Sequence, residues 1–192
     1  MATWNDVERE EPAFATRVRA LFDARKHKTI ATLRADGSPR ISGIEVEFTD
    51  GELTFGSMPD ARKGADLVRD PRFALHGPTA DPPEDQPAGW TGEAKVAGRA
   101  VLVGDLEGET PGQLFRADLD EVVLTRLTDA GDRLLIEVWR PGVPLRRIER
   151  DWHRLARQFR PTAPTRHPLF GPLTVLERRG HRSFRGMPIG GL

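Results

Sequence analysis

Hydrophobic spacing divides the chain into one helical stretch followed by a series of short extended ones. Between Asn5 and Ala24, the residues Phe14, Val18, Leu21 and Phe22 recur at three- and four-residue intervals with charges between them, which predicts an amphipathic helix over 5–24. Lys28–Leu33 is short and β-branched, and Arg40–Phe48 alternates, with Ile44, Val46 and Phe48 separated by Glu45 and Glu47. Such period-two alternation marks strands with one buried face. Asp36-Gly37 joins these two runs as a hairpin and Asp50-Gly51 leads into Glu52–Gly56, because Asp and Gly tolerate positive φ. A three-stranded meander is predicted.

A short helix is expected from Pro59 to Val68, stopped by Asp70-Pro71, and then a fourth strand over Arg72–His76. Gly77–Gly89 holds four prolines and three acids with no basic residue, the pattern of a loop. Thr91–Val103 alternates again, as a long strand bent at Gly98. After a turn at Glu107–Gly112, the runs Glu121–Leu127 and Arg133–Trp139 face each other across Asp129-Ala130-Gly131-Asp132, another hairpin signal. The sum is a mainly β protein with two flanking helices and six to seven antiparallel strands, arranged as a closed or split β-barrel.

Composition narrows the chemistry. The absence of cysteine among 192 residues excludes disulfides, thiolate metal ligands and a cysteine nucleophile. The formal net charge of zero conceals an uneven distribution: residues 1–160 carry 24 basic and 28 acidic residues, whereas 161–192 carry five arginines and only Glu177. The composition shift assigns 1–160 to the barrel domain and 161–192 to a basic tail rich in Pro, Gly and Arg, expected to be flexible. A negative body gives no case for nucleic-acid binding. No apolar run approaches the ~20 residues that span a bilayer, and the acidic start lacks the apolar core of a signal peptide. A cytoplasmic protein without membrane or nucleic-acid partners is expected.

Three local features carry candidate chemistry. Ser57-Met58-Pro59-Asp60-Ala61-Arg62-Lys63 places two cations at a strand-to-helix junction, where free amides and the helix dipole favour an anion. The same pair also fits a solvated helix face. Arg40-Ile41-Ser42-Gly43 offers a glycine within a strand, the mark of a bulge, of a close ligand approach or of a plain edge position. Trp139, at the end of a strong strand and followed by Arg146-Arg147, suits either a planar ring or the core. The five histidines show no metal-ligand spacing, and no nucleophile elbow, P-loop or dinucleotide-binding glycine motif is present.

Through IATLRADGSPR, ELTFGS and ARKGADLVRDPR, residues 29–76 resemble the pyridoxamine 5′-phosphate oxidase family of FMN-binding split barrels. The resemblance implies that Arg40, Ile41, Ser42 and Gly43 face the flavin, that Ser57 lies near its phosphate, and that Arg62 and Lys63 grip that phosphate. Ala61 stands where the family carries a hydroxyl. Extended over about 20–150, the likeness places Trp139 beside the flavin and matches Arg146-Arg147 to arginines serving cofactor and substrate, although the substrate histidine is missing. Glu45 and Glu47 occupy the place of a substrate-phosphate lysine or apolar residues, which argues against pyridoxamine phosphate as substrate. The activity implied by the resemblance is that of an FMN-dependent oxidoreductase moving a hydride between the cofactor and a small organic molecule, with no catalytic side chain identified. A homodimer with the cofactor between subunits is expected. A deazaflavin-dependent reductase and a non-catalytic cofactor carrier are the alternatives.

Overall fold

The computed structural model describes residues 1–83, 85–106 and 111–151. The tail expected at 161–192 and most of the turn expected at Glu107–Gly112 lie outside them. Helices α1 (Trp4–Glu10) and α2 (Pro12–Asp23) precede strands β1 (Lys28–Leu33), β2 (Pro39–Ile44), β3 (Val46–Thr49) and β4 (Glu52–Ser57). Helix α3 (Arg62–Arg69) then leads to β5 (Arg72–His76), β6 (Glu93–Leu106), β7 (Gly112–Leu127), β8 (Arg133–Arg140) and β9 (Val143–Asp151).

All nine strands join one antiparallel sheet in the order β2-β1-β5-β6-β7-β4-β3, with β8 on β7 and β9 on β8. The split is made by β7, which keeps β6 along one edge and shares the other. Gln113–Arg116 pair with β4, whereas Val122–Leu127 pair with β8. The N-terminus fills the gap between: the Leu119 amide donates to the Ala2 carbonyl at 2.9 Å, and the Ala2 amide donates to the Asp118 carboxylate at 2.8 Å. Unpaired edge groups at the split are thereby satisfied locally.

The expected mainly β split barrel is present, with nine strands and three α-helices among the described residues instead of six to seven and two. Each difference has a local cause. Pro12 has no amide to continue a helix, so the 5–24 stretch breaks at Glu11, whose φ of −138° and ψ of 68° are not helical. The 40–48 run changes partners at Glu45: β2 pairs with β1, and β3 pairs with β4. Strand β7 starts at Gly112, nine residues ahead of the predicted Glu121, and its buried Phe115, Ala117 and Leu119 alternate with Arg116, Asp118 and Asp120. Strand β9 exposes most of its residues on both faces, so it offers no apolar alternation to read.

The expected hairpin turns use positive φ, the first of them at Gly37 alone, with φ 81°. Asp50 and Gly51 both take positive φ, 53° and 75°, the requirement of a tight hairpin turn. At Gly98 the β6–β7 register shifts, and a Cβ there would strike the Asp118 carbonyl. Ile30, Leu53, Leu75 and Phe115 of the sheet bury together with Trp4, Val7, Phe14, Val18 and Phe22 of α1 and α2. Trp4 and Phe22 each meet Phe48 edge to face, at 4.6 and 5.9 Å between ring centroids, so the helices close one end of the barrel.

Candidate cofactor groove

Strand β2 alternates: Arg40 and Ser42 are half-buried, while Ile41 and Gly43 point to solvent. Its register against β1 runs unbroken through Gly43↔Thr29, so Gly43 marks no bulge. A Cβ at Gly43 would meet nothing within 4 Å, which leaves this face of the strand open. Beside it, β4 ends in Gly56-Ser57, and Ser57 is buried with its Oγ only loosely bonded to the Met58 carbonyl at 3.5 Å.

The chain then turns through Asp60, at φ 58°, into α3. Ala61 at the N-cap supplies no side-chain acceptor, and the first-turn amides of Arg62 and Lys63 have no intrahelical partners by geometry. Gly64 lets this helix start sit directly on the barrel, because a Cβ there would come within 2.6 Å of Gln113 Oε1 and 2.7 Å of Ser57 Oγ. Lys63 Nζ reaches across and donates to the Gly43 carbonyl at 2.9 Å. Gly43, Ser57 and Lys63, from three separate elements, thus converge on one groove of about 560 Å³. Ile44, Leu106 and Leu114 give it an apolar wall, and Glu45 and Glu47 are also at its side.

Arg62 lies one helix step from Lys63 and faces elsewhere. With Arg34, Arg40, Asp66 and Arg69 it lines a second recess of about 350 Å³. Asp66 organises that recess. It is buried, and its Oδ2 accepts from Arg40 Nε at 2.5 Å and Thr32 Oγ1 at 3.0 Å, while Oδ1 accepts from Arg69 at 3.0 Å. Burial pushes its pKa up, but the hydrogen bonds from Arg40, Arg69 and Thr32 outweigh this and hold the carboxyl below the ordinary aspartate value.

The expected site residues therefore fall into separate places. Gly43, Ser57 and Lys63 share the groove, and Arg40 and Arg62 share the recess. Ile41, 75% exposed, and the half-buried Ser42 line neither. Trp139 is 1% exposed within the core, with its indole N–H donated to Glu10 at 2.9 Å, and it too lines neither. Packing accounts for it. Arg147 and Arg126 both bond the buried Glu137, each at 3.1 Å. Sequence reasoning missed the groove's Lys26, Leu106 and Leu114, which carry no local signal. It also missed Asp66, whose signal was an acid in a short helix spaced four residues from Arg62 and three from Arg69.

Comparison with known proteins agrees with this architecture. The family model described as pyridoxamine 5′-phosphate oxidase matches residues 14–138. Among solved structures, PhzG from Burkholderia lata 383, in complex with tetrahydrophenazine-1-carboxylic acid, is 14% identical at a TM-score of 0.52, covering 77% of this chain and 95% of that one. A pyridoxamine 5′-phosphate oxidase-related, FMN binding protein from Nostoc punctiforme PCC 73102 is 12% identical at a TM-score of 0.51, covering 79% and 98%. At these identities the two structures share the fold alone. No curated protein matches the chain. No helix among the described residues is long and apolar enough to cross a membrane. The split barrel formed around β7 and the family match over more than half of its length establish that this chain belongs to the pyridoxamine 5′-phosphate oxidase family.

Proposed function

We propose that the protein is a flavin-dependent oxidoreductase that binds FMN in the groove where Gly43, Ser57 and Lys63 meet, and that it acts as a homodimer. The observation that carries the reading is this convergence of three elements on one groove of about 560 Å³, inside the roughly 300–1,000 Å³ range of small-molecule sites. The residues fit a phosphate-bearing planar ligand. Lys63 supplies a cation whose acceptor among the described residues is a single backbone carbonyl, and the first turn of α3 supplies amides. Among the described residues Ser57 Oγ has only its long bond to Met58, and the open face at Gly43 leaves room against the backbone. Arg62, the first residue of α3, adds positive charge at the same helix start.

When bound, the flavin supplies the hydride chemistry itself. The chain's part is to neutralise the phosphate with Lys63 and to orient it through the helix-start amides, while Ile44, Leu106 and Leu114 would make part of the groove apolar. No proton-transfer residue is required of the groove for this role. A small organic substrate would share the groove with the cofactor, in a cleft that a second subunit would deepen. The cytoplasm is the proposed compartment.

The test is direct titration. FMN added to the purified full chain should bind at micromolar concentration, with altered flavin absorbance and fluorescence, and Lys63→Ala should weaken it about tenfold or more, the worth of a hydrogen bond to a charged group. Saturating ligand at 100 times its Kd should raise stability by about 2.7 kcal/mol, visible as a higher Tm. If the deazaflavin coenzyme binds and FMN does not, the reductase alternative replaces this reading. Binding without turnover of the reduced cofactor by any acceptor would indicate a carrier. Light scattering tests the dimer.

A further inference from the structure

The groove is polarised along its length, and the polarity bears on what shares it with the cofactor. Lys63 and the start of α3 stand at one end. From Gly43, which Lys63 bonds, the solvent-facing row continues at period two through Glu45 to Glu47 on β3, leading away from that end. Glu45 is compensated: its Oε2 lies 3.1 Å from Lys26 Nζ and its Oε1 lies 3.7 Å from His27 Nδ1. Glu47 has no ion-pair partner and no side-chain hydrogen bond among the described residues. It pairs in register with Thr54 on β4, which also lines the groove, and the apolar wall of Ile44, Leu106 and Leu114 belongs to the same groove. An uncompensated carboxylate beside an apolar wall attracts a cationic group attached to an apolar body and repels an anionic one.

We infer that Glu47 is a specificity-determining residue of this groove, selecting substrates that carry an ammonium or other cationic group on an aromatic or apolar frame and rejecting carboxylates and phosphate esters. The inference rests on the groove being the substrate-and-cofactor site proposed above. Lys26 does not reverse the selection, because its charge is already engaged by Glu45. Lys63 lies at the cofactor end, where it serves the phosphate.

Two probes of similar size and opposite charge, benzylamine and benzoate, test the inference at neutral pH. Each is titrated by calorimetry into the FMN-loaded full chain and, separately, into the chain without FMN. Benzylamine should bind the loaded protein about fivefold tighter than benzoate, the upper range for a solvent-accessible ion pair. Glu47→Gln should erase that preference and Glu47→Lys should reverse it. Equal affinities in the wild-type chain, or a preference untouched by both substitutions, would overturn the inference. So would a loss of FMN affinity in Glu47→Gln, since removal of a negative charge should leave an anionic cofactor bound at least as well. Failure of FMN to bind at all strikes the cofactor reading instead, and the titration without FMN still reports whether Glu47 selects the cation.

Discussion

Asp66 shows how one side chain ties three elements to the site. From α3 it accepts from Thr32 on β1 and Arg40 on β2, and its own neighbour Arg69 donates both to it and to the Leu33 carbonyl. Replacing it by Asn leaves Arg40, which is mostly buried, without its counter-charge. Asp66→Asn should cost about 3 kcal/mol in urea unfolding, the lower range for breaking a buried ion pair. Linkage fixes the pH dependence. Because the folded carboxyl sits below its unfolded value, its stabilisation is complete above the unfolded aspartate pKa, about 3.9, and disappears as pH falls through the lower folded one. The acid limb of stability should therefore flatten in Asp66→Asn, measured as urea midpoints from pH 6 down to pH 2. At the same scale, Arg62 and Lys63 are adjacent in sequence yet serve different recesses, since neighbouring positions on a helix point about 100° apart.

Elements meet at close backbone approaches, and glycines mark where these cannot be relaxed. At Gly98 the obstacle to a Cβ is the carbonyl of Asp118 on β7, in the longest strand pairing of the barrel. Gly98→Ala should destabilise by about 2 kcal/mol, as overpacking against backbone does. Gly104 on the same strand has no atom of the described residues within 4 Å of a Cβ and no positive φ, so Gly104→Ala should be neutral or stabilising by up to about 1 kcal/mol. Paired chemical denaturation of the two variants separates the effect of space from that of glycine content. Gly64→Ala differs again: its Cβ would press on the side chains of Ser57 and Gln113, lifting the start of α3 away from β4. A fall in FMN affinity larger than the fall in stability is the expected result, read by flavin fluorescence beside Tm.

Across the whole molecule, the first residues of the chain complete the barrel. Ala2 occupies the gap in the shared edge of β7, the Asn5 amide donates to the Gly51 carbonyl at the β3–β4 turn, and Trp4 is buried against Phe48. Trp4→Ala should lower stability by about 3–5 kcal/mol, the cost of emptying an aromatic core position, with a matching drop in Tm. The same assembly explains Trp139. Bonded to Glu10 at the end of α1 and aligned in register with Val122, it joins the helices to the β7–β8 pair.

The sequence by itself determined the elements whose physics is local. Hairpins at 36–37 and 50–51 arise where Gly37, and Asp50 with Gly51, take positive φ, the register shift at Gly98 from a missing side chain, and the strands from alternation over a few residues. The resemblance carried by residues 29–76 pointed to the family and to the cations of α3. Only the tertiary structure decided which of those residues stand together. Long-range pairing of β7 with both β4 and β8 made the split, and it brought Gln113 under Gly64 of α3 and Leu114 beside Gly56 in the groove. Helical geometry sent Lys63 to Gly43 and Arg62 into the recess that Asp66 organises, whereas burial placed Trp139 in the core. Those outcomes depend on contacts between residues tens of positions apart, and no short window of the chain contains them.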